Sequence, residues 1–135
     1  MNLGTYAKFD APLDQVWVTA SIDYMGYSVA ATTVATPESL TVNAGTEYAE
    51  PSSCTYDLAK SGDGYKVDSK GSDCNITYRR SSRNDSYELT AELTWRVHWT
   101  ASADPGGPLQ QPALPDGTSS TTEDVVVKEV QSINR

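Results

Sequence analysis

Between Ser86 and Thr100 apolar and polar residues alternate without a break. Tyr87, Leu89, Ala91, Leu93, Trp95, Val97 and Trp99 hold the odd positions, and Glu88, Thr90, Glu92, Thr94, Arg96 and His98 the even ones. Period-two alternation is the signature of a strand with one buried and one wet face. At about 3.3 Å per residue such a strand reaches roughly 45–50 Å, well beyond the usual length of about 5–6 residues. It therefore projects from the body of the domain, or bends at a bulge and serves two sheets. Shorter strands are expected over 15–22, 27–35, 38–43, 74–79 and 118–133, the last in one or two pieces. In the first, Val16, Val18 and Ala20 oppose Trp17 and Thr19, and Tyr24-Met25-Gly26 supplies a turn. Val125, Val126 and Val127 form a continuous apolar run, the pattern of a strand buried on both faces. No segment carries a capped i, i+3, i+4, i+7 stripe, so almost no helix is expected. Short strands punctuated by Gly, Pro, Asn and Asp predict an all-β, antiparallel sandwich.

Residues 101–117 interrupt this rhythm. Pro105, Pro108, Pro112 and Pro115, with Gly106, Gly107 and Gly117, cannot sustain a ladder, so an extended loop is expected here. The flanking segments, 93–100 and 118–126, are expected to pair as a long hairpin with this loop at its tip. At about 17 residues the loop exceeds ordinary hairpin connections, and loops of that length are usually functional or disordered.

Composition narrows the class. The 135 residues fit a single domain. Apolar residues are 38% of the chain and mean hydropathy is -0.48, but eight Tyr and three Trp belong on half-buried pleated surfaces rather than in a disordered chain. A net charge of -8 and a pI near 4.4 repel phosphate backbones and anionic lipid, so no nucleic-acid partner is expected. No run of about 18 apolar residues occurs, so no membrane insertion is expected either. Residues 1–6 show neither the basic nor the apolar region of a signal peptide. That leaves a chain kept inside a cell or an excised piece of an exported one.

Cys54 and Cys74 are the two cysteines. They lack the CxxC spacing of redox motifs, and with His98 as the single histidine they do not make a zinc site. A disulfide would close a loop of about 20 residues and contribute roughly 3 kcal/mol in the chain-entropy model. It is expected if the chain is exported; two reduced thiols are expected if it is not.

Catalytic patterns are missing: there is no G-x-S-x-G, no S-x-x-K and no phosphate-binding loop. His98 lies on the polar face of the long strand, between Val97 and Trp99. The carboxylates fall mostly in turns or on wet strand positions, and 61–64 lacks the dense acidic spacing of a calcium loop. No enzymatic activity, metal or cofactor is expected. Asn75-Ile76-Thr77 and Asn84-Asp85-Ser86 match glycosylation acceptors by pattern. Trp95 and Trp99 share a face with Leu93 and Val97. Where the strand outruns the sandwich, they become aromatic anchors beside the proline-rich loop, the material of binding hot spots. The candidate binding residues are Trp95, Trp99, His98, Pro105, Pro108 and Pro112.

The string Asp73-Cys74-Asn75-Ile76-Thr77-Tyr78-Arg79-Arg80-Ser81-Ser82, the long strand 87–100 and the tail Val127-Lys128-Glu129-Val130-Gln131-Ser132-Ile133-Asn134 together resemble the PKD-like domains at the C-termini of exported actinobacterial proteins. The resemblance covers 54–135; residues 1–53 share its strand rhythm alone. It departs at Ile76, where those domains carry His, and at 40–46, a worn form of their Gly-Asp-Gly motif. The PKD family is an Ig-like β-sandwich of extracellular proteins that mediates contacts and has no catalytic residues. The resemblance thus implies a non-enzymatic, extracellular or cell-surface interaction module that binds protein or glycan through its end loops. The long strand and the proline-rich arm support a second expectation, a structural subunit of a virion or surface fibre that self-associates.

Overall fold

A computed structural model describes residues 2–9, 11–62 and 64–128. No helix forms among them. The strands are β1 (Leu3–Gly4), β2 (Val16–Tyr24), β3 (Tyr27–Asn43), β4 (Ala49–Glu50), β5 (Ser53–Asp57), β6 (Ala59–Ser61), β7 (Gly64–Lys66), β8 (Thr77–Tyr78), β9 (Tyr87–Thr100) and β10 (Gly117–Val125). The fold is all-β and every named pairing is antiparallel. One large sheet runs β10-β9-β3-β2, with β5 also paired to β3. A three-stranded sheet, β1-β8-β4, and the β6–β7 hairpin accompany it.

The segments 27–35 and 38–43, expected as two strands, are one 17-residue strand with an irregularity between Pro37 and Ser39. Pro37 pairs with Trp95 and Ser39 with Thr94, so Glu38 is the extra residue of a bulge. A bulge is where proline, lacking an N–H, costs a ladder least. The inserted residue also reverses the parity of β3. Before it, Thr33 and Ala35 stand beside Trp99 and Val97; after it, Leu40 and Val42 stand beside Leu93 and Ala91. One face of β9 therefore meets odd residues of β3 in its upper half and even residues in its lower half.

That shared face carries the core along its lower half. Leu40, Cys54 and Tyr56 of the large sheet cluster with Ala49 and Tyr78 of the small one, joined by Ala44, Ile76 and Val127. This makes a two-layer, sandwich-like body. Tyr78 stacks on Tyr87 with ring centroids 5.4 Å apart, and its hydroxyl donates to the Ala44 carbonyl at 3.2 Å. A disulfide joins Cys54 on β5 to Cys74, with the Cα atoms 5.9 Å apart. Next to it Asn75 accepts from Tyr56 Oη and Ser69 Oγ and donates to the Ser69 carbonyl, so its amide is engaged in holding the fold.

Four further expectations are revised. The strand over 74–79 shrinks to Thr77–Tyr78, because Asn75 and its neighbours bond to the 69–72 turn and to β5 instead. The last strand is Gly117–Val125, and the expectation for 129–133 falls outside the described residues. Val126 is exposed while Val127 is buried, so the valine run is not covered on both faces. Val127 is instead clasped by Ser82, whose N–H donates to its carbonyl and whose Oγ accepts from its N–H. Finally, β10 pairs β9 from Gly117↔Trp95 to Val125↔Tyr87, so the expected hairpin forms over 93–95 and continues down β9 to Tyr87, while 96–100 do not pair with β10.

Burial, with the nearby Tyr87 phenol adding to it, pushes the Tyr78 hydroxyl above its ordinary value of 10.0. The folded protein therefore holds this proton more tightly than the unfolded chain. The resulting stability is present in full below pH 10 and is lost as pH rises through the folded value. Urea midpoints measured from pH 8 to 11 should fall at the alkaline end, and Tyr78→Phe should flatten that fall while costing about 1 kcal/mol at neutral pH. An unchanged alkaline slope in the variant would assign the loss to other groups.

Candidate functional site

Above the Pro37 bulge the large sheet leaves the body. β2 and the first half of β3 form a hairpin closed by Met25 and Gly26, whose φ values of 49° and 83° are both positive. Two consecutive left-handed residues make the type I′ turn that matches strand twist, and glycine is the residue best suited to the second. The hairpin is an arm, and its two faces differ.

On one face, Thr19 and Thr32 share a hydrogen bond of 2.8 Å, Thr32 Oγ1 donates to the Ser102 carbonyl at 2.8 Å, and Thr100 Oγ1 donates to the Asp104 carbonyl at 3.0 Å. Thr32, Thr100 and Val34 are all buried there. The start of the 101–116 loop thus folds down on this side and satisfies its hydroxyls. Toward the tip Ser28 donates to Asp23.

The opposite face continues the core stripe without its cover. Register aligns Val16, Ala35 and Val97, then Val18, Thr33 and Trp99, then Ala20 with Ala31, Ile22 with Val29, and Tyr24 with Tyr27. Val18, Ile22, Tyr24, Tyr27 and Val29 are 67–77% exposed, and Met25 at the tip is 81% exposed. Of thirteen exposed large apolar side chains among the described residues, eight lie between Val16 and Val29. The same stretch is almost uncharged: of ten basic and eighteen acidic residues, Asp23 alone falls within 16–35. An extended apolar patch with its charges removed is how proteins present a contact surface.

The residues singled out from the sequence are divided by this geometry. Trp95 and Trp99 share the apolar face, both half-buried; Trp95 Nε1 donates to Ser119 Oγ and Trp99 Nε1 to the Pro112 carbonyl, each at 3.2 Å. Pro112 is thereby brought to Trp99. His98 is opposite Val34, on the other face. Pro105 and Pro108 belong to the 104–108 turn, where Gly107 N–H donates to the Asp104 carbonyl at 3.0 Å. The loop is anchored along β9 by a bridge between Leu109 and Thr100 and by Gln110 N–H on the Trp99 carbonyl. The sequence reading located the strand over 15–22 but did not single out Ile22, Tyr24, Tyr27 or Val29. The signal that marks them is the near absence of charge over twenty residues.

Elsewhere, a cleft of about 370 Å³ opens into the core beneath residues 5–9, lined by Phe9, Leu40, Val42, Tyr56 and Ala91. Its walls are mostly apolar, with Lys8 and the phenols of Tyr6, Tyr56 and Tyr78 among the lining. Among the described residues no three His, Cys, Asp or Glu side chains gather as a metal site would require. Compared with protein-family models, with curated proteins and with solved structures, the chain has no match.

Proposed function

We propose that this chain is a non-catalytic interaction module that binds a protein partner through the apolar face of the β2–β3 arm. The observation that carries the reading is the segregation within one sheet. The lower half of its apolar face is covered by the chain's own second layer. The upper half is left open, with Val16, Val18, Ile22, Tyr24, Tyr27 and Val29 on it, Met25 at its tip and no charged side chain among the arm residues of that face. Leaving that much apolar surface in water is unfavourable by about 25 cal/mol per Å², a cost recovered when a partner covers it. Within this proposal the sandwich is PKD-like, on the resemblance of residues 54–135, and the module works outside the cell. The disulfide supports that setting, because such bonds form and persist in oxidising compartments. The contact surface is the sheet face itself, with Trp99 at its base, rather than the tip of the proline-rich loop.

A photoreactive phenylalanine analogue placed at Tyr24 or Tyr27 tests the assignment in cells that naturally make the protein. Irradiation should give a discrete higher-mass adduct from either arm position and none from exposed Tyr6 on the body. Equal adducts from all three positions, or none from the arm, would remove the arm as the contact surface.

A further inference from the structure

We infer that the partner of the arm is a second copy of this chain, joined by antiparallel pairing of β2 with β2 about a two-fold axis at Ala20. The inference rests on the arm being the contact region and adds a contact along its edge: the second copy extends the sheet there, and the apolar face stays open on both arms.

β2 is an edge strand of the large sheet. Its nine residues include no Lys, Arg, Pro or bulge, the devices that normally keep such an edge from pairing. Because a two-residue turn joins Tyr24 to Tyr27, these two form a hydrogen-bonded pair and the ladder alternates from there. Ile22, Ala20, Val18 and Val16 accordingly direct their N–H and C=O groups at β3. Trp17, Thr19, Ser21 and Asp23 direct theirs outward, where no strand receives them.

With the axis at Ala20, outward groups meet outward groups. Trp17 pairs with Asp23 of the second copy and Thr19 with Ser21, twice over by symmetry, giving on the order of eight new ladder hydrogen bonds. The same register sets Val16 against Tyr24, Val18 against Ile22 and Ala20 against itself. All five of these residues lie on the open apolar face, so that face becomes continuous across two arms. No like charges oppose one another, since Asp23, set against Trp17 of the other copy, is the single residue of the strand that is charged at neutral pH. The remaining net charge of each chain lies away from the arm and is screened beyond about 8 Å at physiological salt.

The opposite edge of the sheet does not compete as a partner. β10 reads Gly-Thr-Ser-Ser-Thr-Thr-Glu-Asp-Val. Pairing β2 with it would place Val18 and Ile22 beside hydroxyls and carboxylates, and would build an open filament rather than a closed dimer.

Sedimentation equilibrium of the oxidised, full-length protein at about 150 mM salt should give twice the 14.6 kDa chain mass. Ser21→Pro removes one outward N–H and leaves the β3 ladder whole, so it should return the monomer with an unchanged near-ultraviolet spectrum. Ala20→Cys should oxidise to a covalent dimer, because the non-hydrogen-bonded pair at the axis brings its Cα atoms to about 4.5 Å; Ser120→Cys on β10 should not. A wild-type monomer up to about 100 μM, whose arm still photo-crosslinks to a different protein, overturns self-pairing while the arm stays a contact surface. A monomer whose arm gives no adduct overturns both. Growth beyond the dimer, or crosslinking through β10, overturns the two-fold.

Discussion

Gly45→Ala should be the most damaging single substitution in the described chain, costing about 3–4 kcal/mol of the roughly 5–15 kcal/mol available to a domain. Two effects add at this position. Gly45 has a φ of 74°, a left-handed conformation that a Cβ makes unfavourable by roughly 1–2 kcal/mol. A Cβ there would also land inside the backbone carbonyl of Glu88. Glu88 lies on β9 two residues before Thr90, and Thr90 pairs with Asn43 at the end of β3, two residues before Gly45. The turn cannot yield locally, because Gly45 N–H is held by Asn43 Oδ1 at 2.9 Å and Ala44 is fully buried. Relief therefore means parting β3 from β9 at the foot of the core. Gly26→Ala is the matched control, with φ of 83° and nothing near its Cβ. It should cost about 1 kcal/mol, the conformational part alone. Thermal melts of the two variants should differ by roughly 10 °C. Equal melting temperatures would show that the close approach to Glu88 is absorbed without strain.

Removing the disulfide, by Cys54→Ala with Cys74→Ala or by a reductant, should cost about 3 kcal/mol. The chain-entropy value applies to the loop closed across 20 positions, and the loop's place in the fold makes the loss matter. Residues 55–73 carry β6 and β7, which pair with each other, and meet the N-terminal segment through isolated bridges, Leu13 with Tyr65 on β7 and Lys8 with Asp68 beyond it, and through the Phe9–Val67 and Ala7–Ser69 backbone hydrogen bonds. The layer that covers the core is equally slight: β1, β4 and β8 have two residues each. The crosslink ties Cys54, in the large sheet, to the segment that delivers Ile76 and Tyr78 into the core. Urea unfolding with and without reductant measures the cost. Amide exchange should show Ile76 and Tyr78 losing protection before β3 and β9 do. Coincident curves in the two conditions would mean that the small layer holds without the crosslink.

How much was legible beforehand varies along the chain for physical reasons. The alternation over 87–100 reports a pleated strand directly, and β9 appears as Tyr87–Thr100. Cys54 and Cys74 were legible as a disulfide conditional on setting, and they are bonded. The single strand β3 was harder to read. A proline and an inserted Glu38 look locally like the end of one strand and the start of another, and only the straight neighbour β9 carries the ladder across. The valine run at 125–127 looked like a doubly buried strand. Its central member faces water because Ser82 draws the chain aside at Val127.

The arm shows most sharply where the division falls. Alternation within the chain determined that Val16, Val18 and Ala20 share one side of a strand, since successive side chains on a pleat point opposite ways; the structure carries that side on through Ile22 to Tyr24. The sequence pattern also determined the all-β class and the place of the long loop. A strand's pattern is the same whether its apolar side meets its own core, a partner or water. Which of these it meets depends on how far the second layer extends over the large sheet, and that is set by contacts between residues distant in sequence. Tertiary structure alone decided that the cover stops near the Pro37 bulge, so that the same apolar stripe is core below it and open surface above.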